Sequence, residues 1–492
     1  MVFTSLPFLL FLPVVFALYW LAGARRRTLQ NALLLAASYV FYGWWNWRLL
    51  GLVVLSTGAC YAAALGIEAA KTARAKRWLG GSCVLLNLGL LGYFKYANFF
   101  TASLADALRS AGFEVSWPVL NVVLPIGISF YTFQTLSYVL DVWQGKMRAT
   151  RDALAFAVFV AFFPQLVAGP IERGARFLPQ FLRERKFDAA LATDGCRQML
   201  WGFFKKVAVA DACAPVVAHI FDHWQTAPPG ELALGAALFG FQIYGDFSGY
   251  SDIAVGCSRL FGLDLTRNFA TPYFARDIAE FWRRWHISLT AWFRDYVYIP
   301  LGGSRCGKWR ALANTVLVFL VSGLWHGANW TFVAWGALHG LLFAPLLLLN
   351  RNRKHTDGVV ASGRHLPRMG ELFSMLLTFS LVTVGWIFFR SATVGGAWGY
   401  LTRMLTWREY LAPVQGGTML PLQNDFGSKM LPLQCWLWIG VMLVLEWVAR
   451  SEPHGLRVGR WPGWARWAAY GVLGMACLGM FKQASAFIYF QF

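Results

Sequence analysis

Windows of about twenty mostly apolar residues, the length a helix needs to cross the hydrocarbon core of a bilayer, recur along the whole chain. At that depth no water is present to satisfy the backbone, so each window must close its own hydrogen bonds, which a helix does. The spans read as Val2 to Leu21, Leu29 to Trp47, Leu49 to Ile67, Trp78 to Tyr96, Val119 to Val142, Met199 to Ile220, Leu232 to Leu260, Leu312 to Trp325, Trp330 to Leu348, Leu372 to Phe389, Trp436 to Val448 and Trp464 to Met480. Segment length alone predicts about twelve crossings, within a range of about 11–13. The fold class is therefore all-α, a polytopic transmembrane helical protein. No soluble domain of any size fits between the windows and no internal repeat is visible, so residues 1–492 read as a single domain.

Composition agrees with that reading where it bears on partners. Charged residues are 14% of the chain, against roughly a quarter in an ordinary soluble domain. A formal net charge of +20 would point to nucleic acid in a soluble protein, but here Lys and Arg fall in short clusters between apolar segments. That is the positive-inside pattern of a multi-pass protein, and no separate basic domain exists to hold a phosphate backbone. Trp44, Trp45 and Trp47 exemplify aromatic residues gathered near segment ends, where amphipathic rings anchor at the membrane–water interface. The eight cysteines include no Cys-x-x-Cys pair, so neither a disulfide framework nor a zinc knuckle is indicated and they read as small packing residues. Met1 to Leu21 holds no Lys or Arg and the triplet Arg25-Arg26-Arg27 follows it, the reverse of a signal peptide. It is expected to be a retained first span with its N-terminus outside.

Two places break the up-and-down pattern. Leu154 to Val167 is apolar but only about fourteen residues long, contains Pro164, and lies between the basic runs Lys146 to Arg151 and Arg173 to Lys186. It is expected to be re-entrant or interfacial. Phe281 to Tyr298 mixes Arg283, Arg284, His286, Arg294 and Asp295 with Phe281, Trp282, Trp285, Ile287, Leu289, Trp292 and Phe293, and reads as an amphipathic helix at the surface or lining an interior. Charge and irregular backbone at membrane depth are tolerated only inside protein or beside a water-filled cavity, so the middle of the chain is expected to surround one.

The ionisable residues of that middle region are the candidates for chemistry. His326 stands in Val321-Ser322-Gly323-Leu324-Trp325-His326-Gly327-Ala328-Asn329-Trp330, between two long apolar stretches. Its bland role would be a packing histidine satisfied by hydrogen bonds. Its functional role follows from the cost of placing imidazole there and from a pKa suited to proton transfer near neutrality. Gly323 and Gly327 permit close approach of backbone or substrate. His286, in Arg283-Arg284-Trp285-His286-Ile287-Ser288, is a surface-helix histidine or a second site residue. Arg283 and Arg284 could hold donor phosphates or face lipid headgroups. Asp246 and Asp252, in Tyr244-Gly245-Asp246-Phe247-Ser248-Gly249-Tyr250-Ser251-Asp252, need partners, either an arginine or a polar tunnel. Gly245 and Gly249 form a small-x-x-x-small packing pair. With Trp325 and Asn329 beside His326, these residues make up the candidate substrate- and donor-binding set. His219 and His223 have i, i+4 spacing but no third ligand is indicated, so no metal site is assigned. No Gly-x-Ser-x-Gly elbow, Walker loop or dinucleotide fingerprint occurs.

Several motifs together resemble a known family. They are Gly92-Tyr93-Phe94-Lys95-Tyr96, Leu124-Pro125-Ile126-Gly127-Ile128-Ser129-Phe130, Ala168-Gly169-Pro170-Ile171-Glu172-Arg173, Asp246 to Asp252, Phe281 to Leu289, Arg294-Asp295-Tyr296-Val297-Tyr298-Ile299-Pro300-Leu301-Gly302-Gly303 and Gly323 to Ala328. In this order they resemble the membrane-bound O-acyltransferases over roughly Val2 to Arg390, most closely the bacterial branch holding the membrane subunit of alginate O-acetylation and the D-alanyl transfer protein of teichoic acid modification. The aromatic terminus Phe487 to Phe492 is similar to the polysaccharide-acetylating members. The resemblance places the family's near-invariant histidine on His326 and its second characteristic polar position on His286, making these the catalytic pair.

What the resemblance implies is a ring of tilted helices around a funnel or tunnel in which an acyl group passes from a cytoplasmic thioester, most simply acetyl-CoA, toward the periplasm. The expected setting is the bacterial inner membrane, with no permanently bound cofactor. A separate periplasmic transferase of the SGNH-hydrolase type and polysaccharide-export machinery are the implied partners, besides the lipid bilayer. The acceptor would be alginate, cellulose, peptidoglycan or another exopolysaccharide; D-alanyl transfer from a carrier protein to teichoic acid is the alternative within the family. Outside it stand a proton-coupled transporter, with His326, Asp246 and Asp252 as the relay, and a scaffold for polysaccharide export.

Overall fold

The computed structural model describes residues 1–23, 26–115, 117, 119–120, 122–356, 358–406, 431–459, 461–480 and 487. Among the described residues the regular structure is helical throughout. Side-chain caps mark many helix starts by satisfying first-turn N–H groups that have no partner inside the helix. Ser5 accepts from Phe8 N, Thr72 from Ala75 N, Asp152 from Ala155 N and Thr393 from Gly396 N.

Four helical stretches are long and apolar enough to cross a membrane, residues 27–69, 73–110, 330–348 and 369–390, with shorter apolar helices at 6–21 and 433–448. The first stretch contains two expected spans, as Arg27–Asn46 followed by Leu50–Ala69; the second contains one, Trp78 to Tyr96, followed by the further helix Ala97–Ser110. The remaining helices of the expected twelve fall short of that length or apolar content.

The chain divides into two compact units, residues 1–199 with 253–267, and residues 200–252 with 268–492. In the first unit, the stretch from Leu154 to Val167 is indeed too short to be a span. It forms a helix over Ala153–Ala161, bends at Phe162, and makes one further turn over Phe163–Leu166 with Pro164 in its first turn. Nearly all of it is buried. Next to it, the buried Glu172 carboxylate accepts from the backbone and hydroxyl of Thr266 and from Arg176, which reaches on to Asp264 at 2.7 Å. Burial raises the Glu172 pKa, and the bonds from Thr266 and Arg176 oppose that shift without cancelling it. The expected span from Val119 to Val142 is helical only from Ile128 to Trp143; Gly127, at φ 76°, turns the chain into it.

In the second unit, the helices Lys308–His326 and Trp330–Leu348 form a hairpin with backbone against backbone. A Cβ on Gly323 would run into the Phe332 carbonyl, and one on Gly336 into the Phe319 carbonyl. Only glycine allows this approach, the usual device of helix pairs in membranes. The same unit corrects the amphipathic-helix reading of Phe281 to Tyr298. Two short helices, Ile278–Arg284 and Ile287–Phe293, are separated by a turn at His286, and Arg294–Tyr298 widens to π-helical geometry. The hydrophobic pattern survives such a turn, which is why periodicity alone did not reveal it.

Candidate functional site

His326 is the last residue of its helix, ended by Gly327 in extended conformation at φ −160° and ψ 151°. A Cβ at Gly327 would fall within the Phe332 ring. The imidazole is buried in an aromatic enclosure. Its centroid lies 5.0 Å from Trp325, 5.1 Å from Trp335 and 5.4 Å from Phe389. The His286 ring is 6.4 Å away. The structure thus brings together the two histidines expected to be catalytic, and Trp325 stands against both, 5.9 Å from His286.

His286 adopts the left-handed conformation, φ 46° and ψ 54°. A residue bearing Cβ seldom takes it, and such positions concentrate where surrounding contacts hold them for a purpose. Here the contacts come from Asn268. Its carbonyl accepts from Ile287 N at 2.9 Å, and its side-chain Oδ1 meets Ser288 N at 3.2 Å and His286 Nδ1 at 3.1 Å. Phe247 closes on the imidazole at 4.7 Å and Phe269 stacks on it at 6.4 Å. Burial drives the His286 pKa down to about 3, so the ring is neutral at physiological pH.

A third histidine belongs to the same cluster. His339 is fully buried, with Trp282 and Trp335 each 4.9 Å away, so Trp335 stands between it and His326. Gly385 makes room for it, since a Cβ there would come within 2.7 Å of Nε2. An ionisable residue in an apolar span is the signal that marks His326, and it marks His339 equally. Asn268 had no such signal, because its importance lies in what it touches.

The other expected site residues have different surroundings. Arg283 donates to the carbonyls of Asn352 and His355, and Arg284 to Glu280 and to the carbonyls of Ala270 and Gly358. Both therefore fasten the segment that follows residue 350. Asn329 caps the helix Trp330–Leu348 by accepting from Thr331 N, and donates to the Ala392 carbonyl. Asp246 pairs with Lys206 at 2.6 Å and Asp252 with Lys205 at 2.5 Å. Their expected cationic partner is thus lysine rather than arginine. Lys206 also reaches Asp211 at 2.9 Å. The His219 and His223 rings lie 4.5 Å apart, and His223 Nδ1 is 2.9 Å from the His219 carbonyl. Of the aromatic terminus only Phe487 falls within the described residues, 4.9 Å from Tyr250 and 6.1 Å from the Phe247 ring that covers His286; the rest lies outside them.

A cavity of about 640 Å³ opens in the second unit. Arg294, Lys308 and Arg353 are among its lining residues, and Trp282, Phe319 and Phe343 give it an apolar wall. Trp282 is 5.5 Å from Trp335, which touches His326. Of these cations the sequence marks only Arg294, in the segment Phe281 to Tyr298; Lys308 and Arg353 lie outside every motif.

Comparison with known proteins follows this geometry. The model of the family described as MBOAT, membrane-bound O-acyltransferase family, matches residues 147–362, which include Asn268, His286, His326 and His339. The chain is 43% identical over 413 residues to the probable alginate O-acetylase AlgI of Azotobacter vinelandii, covering 83% of this chain and 79% of that one. It is 34% identical over 431 residues to the peptidoglycan O-acetyltransferase of Helicobacter pylori, covering 82% and 79%. The teichoic acid D-alanyltransferase of Bacillus subtilis is more distant, 27% identical over 342 residues, with 62% and 82% covered.

Proposed function

Since this chain belongs to the membrane-bound O-acyltransferase family and is an O-acyltransferase, we propose that it moves an acetyl group from a cytoplasmic thioester, acetyl-CoA, across the bacterial inner membrane for O-acetylation of an extracytoplasmic polysaccharide such as alginate. The observation that carries the reading is the pairing of His326 with His286 inside one aromatic enclosure. Thioester acyl transfer to an alcohol needs a base at the attacking hydroxyl and a site from which competing water is excluded. The buried His326 imidazole, ringed by Trp325, Trp335 and Phe389, is placed to meet both needs.

In the proposed step His326 takes the proton of the acceptor hydroxyl as oxygen attacks the thioester carbonyl. The C–O bond forms, the C–S bond breaks, and the proton passes to the departing sulfur. General-base action of this kind contributes roughly a hundred- to ten-thousand-fold. His286 positions the donor. Lys308 and Arg353 at the 640 Å³ cavity would hold the donor's phosphates, because Arg283 and Arg284 are engaged with Glu280 and loop carbonyls and Arg294 with Asp295. The eighteen-residue rise from Lys308 to His326 spans about 27 Å at 1.5 Å per residue, so the phosphates would rest well away from the reacting carbonyl and a long arm would bridge the interval.

The preference for an acetylated polysaccharide over teichoic acid rests on the nearer similarity to proteins named for O-acetylation. A periplasmic transferase of the SGNH-hydrolase type and polysaccharide-export machinery are the proposed partners. The test is to incubate purified protein with labelled acetyl-CoA and, separately, with a labelled aminoacyl carrier protein, and to follow the label with wild type and His326→Ala. Label from acetyl-CoA, lost in a folded His326→Ala protein, is the expected result. Full activity in that variant would sink the assignment of His326, and transfer from the carrier protein alone would replace the donor. Solute or proton flux without any acyl donor would favour transport.

A further inference from the structure

We infer that Asn268 is a positioning residue that fixes His286 as its Nδ1–H tautomer and thereby makes Nε2 the basic nitrogen of that ring. This rests on the acyl-transfer reading only for its catalytic consequence; the tautomer itself follows from the hydrogen bonds.

One donor at this turn cannot change character. The backbone N–H of Ser288 can only donate, and it lies 3.2 Å from the Asn268 side-chain atom assigned as Oδ1. That atom must then be the carbonyl oxygen, because an amide nitrogen there would set donor against donor. The other end of the carboxamide agrees, since Nδ2 lies 3.4 Å from the Ser251 hydroxyl, which can accept. An amide oxygen is an acceptor only, so the His286 nitrogen 3.1 Å from it, Nδ1, has to carry the proton. A neutral imidazole with its proton on Nδ1 keeps its lone pair on Nε2.

Asn268 also holds the backbone that aims the ring. Its main-chain carbonyl takes the N–H of Ile287 and its side chain takes that of Ser288, the two residues after the left-handed turn. The Ser288 hydroxyl is a further 3.0 Å from Oδ1. One side chain, only 1% exposed, therefore closes the turn, selects the tautomer and ties both to Ser251. Groups that hydrogen-bond the far nitrogen of metal-ligating histidines act in this way, and their removal costs roughly 10- to 100-fold in affinity or activity.

The ionisable groups near His286 are accounted for by element. From Lys308–His326 comes His326 at 6.4 Å. On Ile278–Arg284, Glu280 pairs with Arg276 and Arg284, and Arg283 donates to loop carbonyls. On the helix that carries Phe247, Tyr244 donates to Glu446, and Asp246 and Asp252 pair with Lys206 and Lys205. A carboxylate introduced at 268 would be a new charge directly on Nδ1.

The experiment uses the full chain in lipid with 15N-labelled histidine, the His286 signals being assigned by difference with His286→Gln. A pyrrole-type shift on Nδ1 and a pyridine-type shift on Nε2 are expected in the wild type, and this pattern is lost in Asn268→Leu. The opposite tautomer in the wild type, or unchanged His286 signals in Asn268→Leu, would overturn the inference whatever the activity. A second arm measures acetyl transfer from labelled acetyl-CoA. Asn268→Leu should lower kcat roughly 10- to 100-fold and raise KM for the donor that His286 positions. Asn268→Asp keeps the acceptor, so it should recover much of kcat, while its charge favours imidazolium and moves the acid limb of the pH profile to higher pH. Wild-type kinetics and an unmoved pH profile in both variants would overturn the positioning role. A wild type that shows the expected tautomer but transfers nothing from acetyl-CoA sinks the donor reading and leaves the assignment of Asn268 standing.

Discussion

Lys206 holds two carboxylates at once, Asp246 at 2.6 Å and Asp211 at 2.9 Å, and all three side chains are buried. A buried ion pair adds little over a well-packed apolar pair, but removing one member leaves charge stranded and costs about 3–5 kcal/mol. Lys206→Met strands two carboxylates, whereas Asp246→Asn leaves Lys206 with Asp211. The temperature of thermal inactivation of the detergent-solubilised protein should therefore fall further for Lys206→Met than for Asp246→Asn. The reverse order would show that the lysine is not the shared centre.

The cavity cations make a kinetic prediction. Lys308→Glu and Arg353→Glu should raise KM for acetyl-CoA roughly tenfold or more each, the size expected for losing a charge-assisted hydrogen bond, and leave kcat near its original value. A fall in kcat at unchanged KM would place the donor elsewhere.

The hairpin that carries His326 predicts a steric effect. Gly336→Ala puts a methyl into the Phe319 carbonyl and Gly323→Ala puts one into that of Phe332. Overpacking of this kind costs about 1–3 kcal/mol, and more where backbone must yield. Both variants should lose thermal stability, and Gly323→Ala, one turn before His326, should lose more transfer activity than its stability loss accounts for. Gly81→Ala has open space around the new methyl and serves as the control.

Glu280 provides the pH dependence of stability. Burial pushes its carboxyl up, but Arg276 and Arg284 outweigh burial and hold it below the usual range. Its folded pKa is lower than its unfolded one, so its stabilisation is present above the unfolded value and disappears as pH falls through the folded one. Glu280→Gln should be less stable than wild type near neutral pH, and the gap should close on acidification below about pH 4. A gap that stays constant with pH would assign the loss to packing.

Much of this organisation was legible in the chain because lipid imposes a coarse demand, long apolar windows, that composition meets visibly. The short length and Pro164 of Leu154 to Val167 likewise announced an element unable to span, and the cost of burying imidazole announced His326. The turn at His286 was hidden because apolar residues on both sides keep a helical rhythm across it, and a histidine gives no sign of positive φ as a glycine would. Arg283 and Arg284 looked suited to phosphate by charge alone, and only three-dimensional placement shows their donors directed at Glu280 and at carbonyls from residues 352–358. Asn268 was invisible for a related reason: an asparagine becomes informative only when its two ends are seen to meet particular partners.

Over Phe204–Ala210 the chain widens to π-helical geometry, and this turn carries Lys205 and Lys206, consecutive residues that both reach carboxylates of the helix Pro229–Leu260. In ordinary α-geometry adjacent side chains diverge by about 100° around the axis. The π-helical turn holds an extra residue, and such turns behave as single-residue insertions retained within a helix. Deleting one residue between 204 and 210 would therefore restore a regular helix and, by the same stroke, swing everything before it through a quarter-turn, dissolving the double lysine clasp. The length of this seven-residue stretch is thus as much a part of the protein's specification as the identity of its lysines.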